Sequence, residues 1–275
     1  MTTAAYWDQV ADRFEADNQS PTWRAYMQRC YLQLAHRWFA DVPPGLTLKT
    51  DLFEEAVTPY HLFDGLGEEM AGMDLSLAIV RAARHRLQRR EHGDAALAVC
   101  DSRRLPWASH SMMRILSGSS LDHFEETRDI DVALGELVRC LRPGGCLVVT
   151  FDNPHNPLVR LRNALPFRAL ARIGLVPYFV GATYDRHTAQ RVLTALGLTV
   201  THVEAMAHAP RAPAIWAGRQ YARRSGNPSP QLLRLLSAFD RVFARSPLRF
   251  LTGYYVALRA VKPAHPPSHG GASGG

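Results

Sequence analysis

From Glu136 to Pro154 the chain reads ELVRCLRPGGCLVVTFDNP, a segment that few folds can accommodate. Leu134, Leu137, Val138 and Leu141 keep the i, i+3, i+4, i+7 spacing of a helix with one apolar face. Pro143-Gly144-Gly145 stops that helix and lets the chain reverse tightly into an apolar run, Gly145–Phe151, read as a strand. Asp152 and Asn153 then emerge at the carboxyl end of that strand, and the NPHNP loop forces an extended exit. The same alternation of short apolar runs with helical stretches starts at Leu46, which argues for βαβ units and a parallel sheet. Strands are expected near Leu46–Thr50, Glu69–Met73, Ala95–Cys100, Met112–Ser117 and Gly145–Phe151, then Leu198–Val203 and Tyr254–Val261. Ser76 is placed to cap a helix over Leu77–Leu87.

The elements before and after this core are helical. A short helix is expected around Tyr6–Phe14, and a longer one carries Trp23, Tyr26, Met27, Cys30, Tyr31 and Leu34 on one stripe until Asp41-Val-Pro-Pro-Gly ends it. Residues 157–183 hold four arginines and no acid among bulky apolar residues, and a further helix follows near Pro230–Ala244. The resulting division is 1–44 as an N-terminal helical lid and 45–262 as the main domain, with 157–187 and 205–250 as lid or insertion segments. The tail 263–275 has no core-forming residue and is expected to be disordered.

Composition narrows the classes. A hydrophobic share of 47% with 21% charged residues is that of a globular protein, and no apolar run nears the ~20 residues of a membrane span. The four cysteines show neither CxxC pairing nor metal spacing, so free thiols, no metal and a cytoplasmic location are expected. Eight arginines against the single acid Asp240 between Arg211 and Arg249 contribute to the net charge of +7. A solvated basic face accounts for them, and no nucleic-acid partner is expected.

Three further motifs complete the picture. The second strand ends in MAGMDLS with Asp74 and Leu75; the third ends in Cys100-Asp101-Ser102 followed by LPW; the fourth reads RILSGSSLDHF. With LRPGG and CLVVTFDNP, these resemble a class I S-adenosylmethionine-dependent methyltransferase over residues 46–262. The resemblance implies a Rossmann-like α/β fold with a mostly parallel seven-stranded sheet, N-terminal helices and a helical insertion after the fifth strand. It further implies S-adenosyl-L-methionine across the carboxyl ends of the first strands. Asp74 would accept the ribose hydroxyls, since a carboxylate offers two oxygens to a vicinal diol, with Leu75 beside it. Asp101 and Ser102 would meet the adenine; a loop acid paired with Arg103 or Arg104 is the alternative. Ser117 and Gly118 would line the methionine arm, while Asp122, His123 and Asn153 would orient or deprotonate the acceptor. His123 is the general-base candidate because its ordinary pKa lies near working pH, the alternative being a helix-start histidine bonded to the sheet edge. Met113 stands near the place of an aspartate usual in the family.

The chain departs from the pattern after its first strand. Lys49 stands where the family has an acid, and Asp51, Phe53 and Glu55 stand where it has the glycines of G-x-G-x-G. A Cβ at each position narrows the cleft, and Phe53 is large enough to fill it. Asp51 or Glu55 could instead pair with the cofactor's α-ammonium, an altered loop that still binds. The expected activity is methyl transfer to a small, amphipathic or acidic acceptor, with Tyr6 and Trp7 closing over the cofactor. The alternatives are an inactive binding module with a blocked cleft, and an enzyme of the same fold that uses a modified cofactor.

Overall fold

The computed structural model describes residues 3–16, 20–67, 69–90, 92–172 and 178–264; most of the expected disordered tail lies outside them. One sheet of seven strands organises the chain: β1 (Thr47–Lys49), β2 (Met70–Asp74), β3 (Ala96–Val99), β4 (Met112–Gly118), β5 (Leu141–Asp152), β6 (Thr199–Met206) and β7 (Tyr255–Val261). The spatial order is β3-β2-β1-β4-β5-β7-β6, with β1 to β5 parallel and β7 antiparallel to both β5 and β6. All seven expected strands are present, each within a few residues of its expected limits.

The helices are α1 (Ala4–Ala16), α2 (Pro21–Trp38), α3 (Phe53–Val57), α4 (Leu77–Leu87), α5 (Thr127–Cys140), α6 (Pro157–Ala164), α7 (Phe167–Arg172), α8 (Arg186–Ala195), α9 (Arg211–Ser225), α10 (Pro230–Phe243) and α11 (Arg249–Thr252). Ser76 caps α4 as expected, its Oγ accepting from Ile79 N at 3.0 Å. One boundary differs. Helix α5 ends at Cys140, and Leu141, read as part of its apolar stripe, is already the first residue of β5, paired with Met112. Gly144 then takes φ +77°, and a Cβ on Gly145 would stand 2.9 Å from the carbonyl oxygens of Arg142 and Met113, which is why the turn needs both glycines.

Each sheet face carries a core. On one side Ile115, Leu147, Val149 and Phe151 pack against Ile130, Leu134 and Leu137 of α5. On the other, Leu116, Cys146 and Val148 meet Leu34, Ala35 and Trp38 of α2 with Ile79 and Val80 of α4. Helix α2 is thereby part of the core along much of its length. Its first half packs Trp23 and Tyr26 against Ala214 of α9 and Leu236 of α10. Among the described residues no helix is long and apolar enough to cross a membrane.

Candidate functional site

Chain connectivity reverses direction between β1 and β4, and open α/β sheets bind ligands outside the strand carboxyl ends at such a point. A cavity of about 760 Å³ lies there. It runs from the ends of β2 and β3 across β1 and β4 to β5 and β7.

The altered loop after β1 shapes one wall without closing the cleft. Lys49 points inward, and its Nζ lies 2.9 Å from Glu55 Oε2, 3.2 Å from Asp51 Oδ1 and 2.6 Å from the Asp51 carbonyl. Burial works against the Lys49 charge, but Asp51 and Glu55 outweigh it and hold the ammonium above its ordinary range. Glu55 is fully buried in helix α3, accepts from Leu62 N at 3.0 Å and does not line the cavity. This corrects its expected place beside the cofactor: Lys49 and the Leu62 amide already occupy its carboxylate. Asp51 does line the cavity, partly exposed, and Phe53 forms wall beside it, with the Arg24 guanidinium 5.6 Å from the ring centroid.

Asp74 and Leu75 line the next section. Asp74 Oδ1 accepts from Ser76 N at 2.9 Å and Oδ2 from Leu52 N at 3.2 Å, so the acid pins the β1 loop to the end of β2. Burial pushes its carboxyl up to about 6, against the pull of those two amides. Asp101 and Ser102 lie beyond, with Met73 and Cys100 as apolar lining. Asp101 is held by Arg103, whose Nη2 lies 2.6 Å from Oδ2. Burial opposes the charge of Asp101, but the Arg103 bonds keep its carboxyl below the usual range.

At the end of β4, Gly118 faces the cavity, and a Cβ there would meet the Tyr31 ring at 3.2 Å. Ser117 is buried beneath, bonded to Thr50 Oγ1 at 3.1 Å, and does not reach the lining. Asp122 does, from a 3-10 turn over Leu121–His123. Its Oδ2 accepts from Asp152 N at 2.9 Å and Ser119 Oγ at 2.8 Å, while the buried Oδ1 has no partner among the described residues. Burial, then the adjacent Asp152 charge, push the Asp122 carboxyl up to about 8. His123 also lines the cavity, edge-on to Trp7 at 4.7 Å and to Tyr178 at 5.5 Å. Its Nδ1 donates to the Phe179 carbonyl at 2.8 Å, which makes Nε2 the basic nitrogen, and burial lowers its pKa.

Asn153 is misplaced by the sequence reading. Its Nδ2 donates to the carbonyls of Phe250 and Gly253 at 2.7 and 2.9 Å, and its Oδ1 accepts from His155 N at 3.1 Å. It is fully buried and absent from the lining, a clamp on the turn before β7. Tyr6, expected to close over the cofactor, instead accepts from Phe179 N at 2.7 Å, whereas Trp7 lines the cavity.

Several lining residues have no role assigned from the sequence. Asp152 Oδ2 pairs with Arg162 Nη2 at 2.5 Å, and Tyr31, Tyr255 and Arg211 complete that end. Three leucines of the segment after β5, Leu158, Leu161 and Leu165, add an apolar wall. The CLVVTFDNP motif brings Asp152 to the strand end, the clustering of arginines with leucines in 157–183 signals Arg162 and the three leucines, and Tyr31 shows only as one position of the α2 stripe.

The sheet order and its flanking helices are the Rossmann-like fold of class I methyltransferases. The family model described as "Methyltransferase domain" matches residues 57–149, from the end of α3 to β5, and leaves the altered loop outside the match. The demethylmenaquinone methyltransferase of Parafrankia sp. (strain EAN1pec) is 32% identical over 173 residues, 55% of this chain and 63% of its own length. The chain thus spans less than two thirds of that relative. The ubiquinone/menaquinone biosynthesis C-methyltransferase UbiE of Nitrosospira multiformis is 27% identical over 179 residues, 62% of this chain and 68% of its own. Among solved structures, geranyl diphosphate C-methyltransferase from Streptomyces coelicolor A3(2) superposes with a TM-score of 0.54 at 14% identity, covering 84% of this chain and 77% of that one. The last likeness is one of fold.

Proposed function

We propose that this chain transfers a methyl group from S-adenosyl-L-methionine to a small, largely apolar acceptor. The observation that carries the reading is one continuous cavity with cofactor-type acids at one end and Asp122 and His123 farther along. The residues suit the cofactor. Asp51 offers a partly exposed carboxylate to an α-ammonium, and Gly118 keeps the end of β4 open, since a Cβ would crowd Tyr31. Asp74 retains lone pairs for a ribose diol beyond the two amides it accepts, with Leu75 beside it. Met73 and Cys100 give an adenine its apolar faces, and Asp101 and Ser102 its polar edge.

The cofactor supplies an electrophilic methyl on sulfur. The protein's work is then to bring an acceptor atom in line and keep water out, which is worth most of such a barrier. Asp122, whose side chain borders the cavity at the end of β4, would take or give a hydrogen bond at the acceptor oxygen. His123, with Nε2 basic, is the group to accept a proton from an acidic hydroxyl or ring carbon. Given the two quinone-pathway relatives, a hydroquinone-type ring is the acceptor class favoured. Four free cysteines agree with a cytoplasmic setting.

The test is incubation with methyl-labelled S-adenosylmethionine and a demethylated menaquinol. Label in the quinol, abolished in Asp122→Ala with His123→Ala, supports the reading. Unlabelled quinol and no S-adenosylhomocysteine from it would remove the quinol acceptor class.

A further inference from the structure

Resting on the methyl-transfer part of that reading, and narrowing its acceptor from a plain menaquinol to a ring that also bears an anionic group, we infer that Arg211, beside Tyr254 and Tyr255, is the residue that binds that group. Arg162 of α6 and Arg211 and Arg219 of α9 line the cavity on this side, and they are in different states: Arg219, two turns along α9, is exposed to solvent. Arg162 spends its charge on Asp152, at 2.5 Å. Arg211, at the start of α9, is half-buried and has neither an ion pair nor a hydrogen bond among the described residues. Its guanidinium lies 6.0 Å from the Tyr254 ring centroid. A guanidinium taken partly out of water without an acceptor costs free energy, and its planar fork matches a carboxylate or phosphate with two parallel hydrogen bonds.

This end is far from the cofactor acids. Asp51, the acid nearest the amino-acid end of a bound cofactor, follows β1, and Tyr255 opens β7; the order β1-β4-β5-β7 puts three strand spacings, about 14 Å, between those strands. Arg211 therefore has its own ligand group to hold. The surroundings say what the rest of that ligand is. Leu158, Leu161 and Leu165 line the same cavity, 58%, 59% and 45% exposed, on one side of α6 and its exit. An amphipathic anion, with a carboxylate or phosphate on an apolar body, satisfies both features.

The probes are decyl phosphate, decanoate and decanol, titrated below their aggregation limits into the full chain by tryptophan fluorescence, with and without saturating S-adenosylhomocysteine. Both anions, or one of them, should bind about 10-fold or more tightly than decanol, and the tighter one identifies the group as phosphate or carboxylate. That preference should vanish in Arg211→Gln, survive in part in Arg211→Lys, and persist with S-adenosylhomocysteine bound. Equal binding of anion and alcohol, a preference unchanged in Arg211→Gln, or competition between the anion and S-adenosylhomocysteine would overturn the inference. Failure of S-adenosylhomocysteine to bind while the Arg211-dependent preference stands would instead overturn the methyl-transfer reading and leave the anion site.

Discussion

Lys49 Nζ stands 2.9 Å from Glu55 Oε2, with the two side chains 2% and 0% exposed. This buried pair replaces the glycine turn after β1. It draws the chain into α3 and leaves Asp51 and the Arg24-paired Glu54 as the acids of this segment that face the cavity. Removing one partner strands the other charge in the interior. Lys49→Met should cost about 3–5 kcal/mol in urea unfolding, and the double variant Lys49→Met/Glu55→Gln should recover most of it, because Gln still accepts from Leu62 N. Additive losses would show that the pair is not coupled.

Asp122 should make stability fall with rising pH. Its carboxyl is lifted from 3.8 to about 8 on folding, so the folded state favours the protonated form. That contribution is complete below about pH 4 and is lost as pH rises through about 8. Asp122→Asn keeps the acceptor for Asp152 N–H and removes the titration. At pH 9 its thermal midpoint should exceed that of the parent by about 5 °C, with a smaller gap at pH 6. Parallel midpoint curves for the two proteins would contradict this.

Phe53 is wall, not plug. The ring borders an open cavity, so Phe53→Ala should weaken binding of S-adenosylhomocysteine by about 3- to 10-fold through lost apolar contact. Tighter binding after truncation, read by calorimetry, would mean that the ring obstructs the cleft.

Asn153 acts on stability alone. Asn153→Ala leaves the carbonyls of Phe250 and Gly253 without that donor and should cost about 1–3 kcal/mol, with affinity for S-adenosylhomocysteine unchanged. A large loss of affinity with normal stability would return it to the site.

What the sequence made legible follows from range. The seven strands were readable because each is a local apolar run, and Ser76 because a cap is decided within three residues. The end of α5 was misjudged because Leu141 suits either an apolar helix stripe or a buried strand, and only pairing with Met112 decides between them. The same holds in the site. Asp74, Asp101 and His123 sit in motifs that can be seen one at a time. Glu55 and Asn153 have residue types suited to a site, but their partners, Lys49 six residues back at the end of β1 and Phe250 about a hundred residues on, turn them inward. Arg211, Tyr255 and Tyr31 come from three separate elements, and only packing makes them neighbours.

The central claim, a cofactor cleft that survives the loss of its glycine loop, is tested most directly by calorimetric titration of the full chain with S-adenosylmethionine and S-adenosylhomocysteine. Binding in the micromolar range is expected for both, falling at least about 10-fold in Asp74→Ala as the diol loses its acceptor. A protein that is folded and yet binds neither would contradict the account.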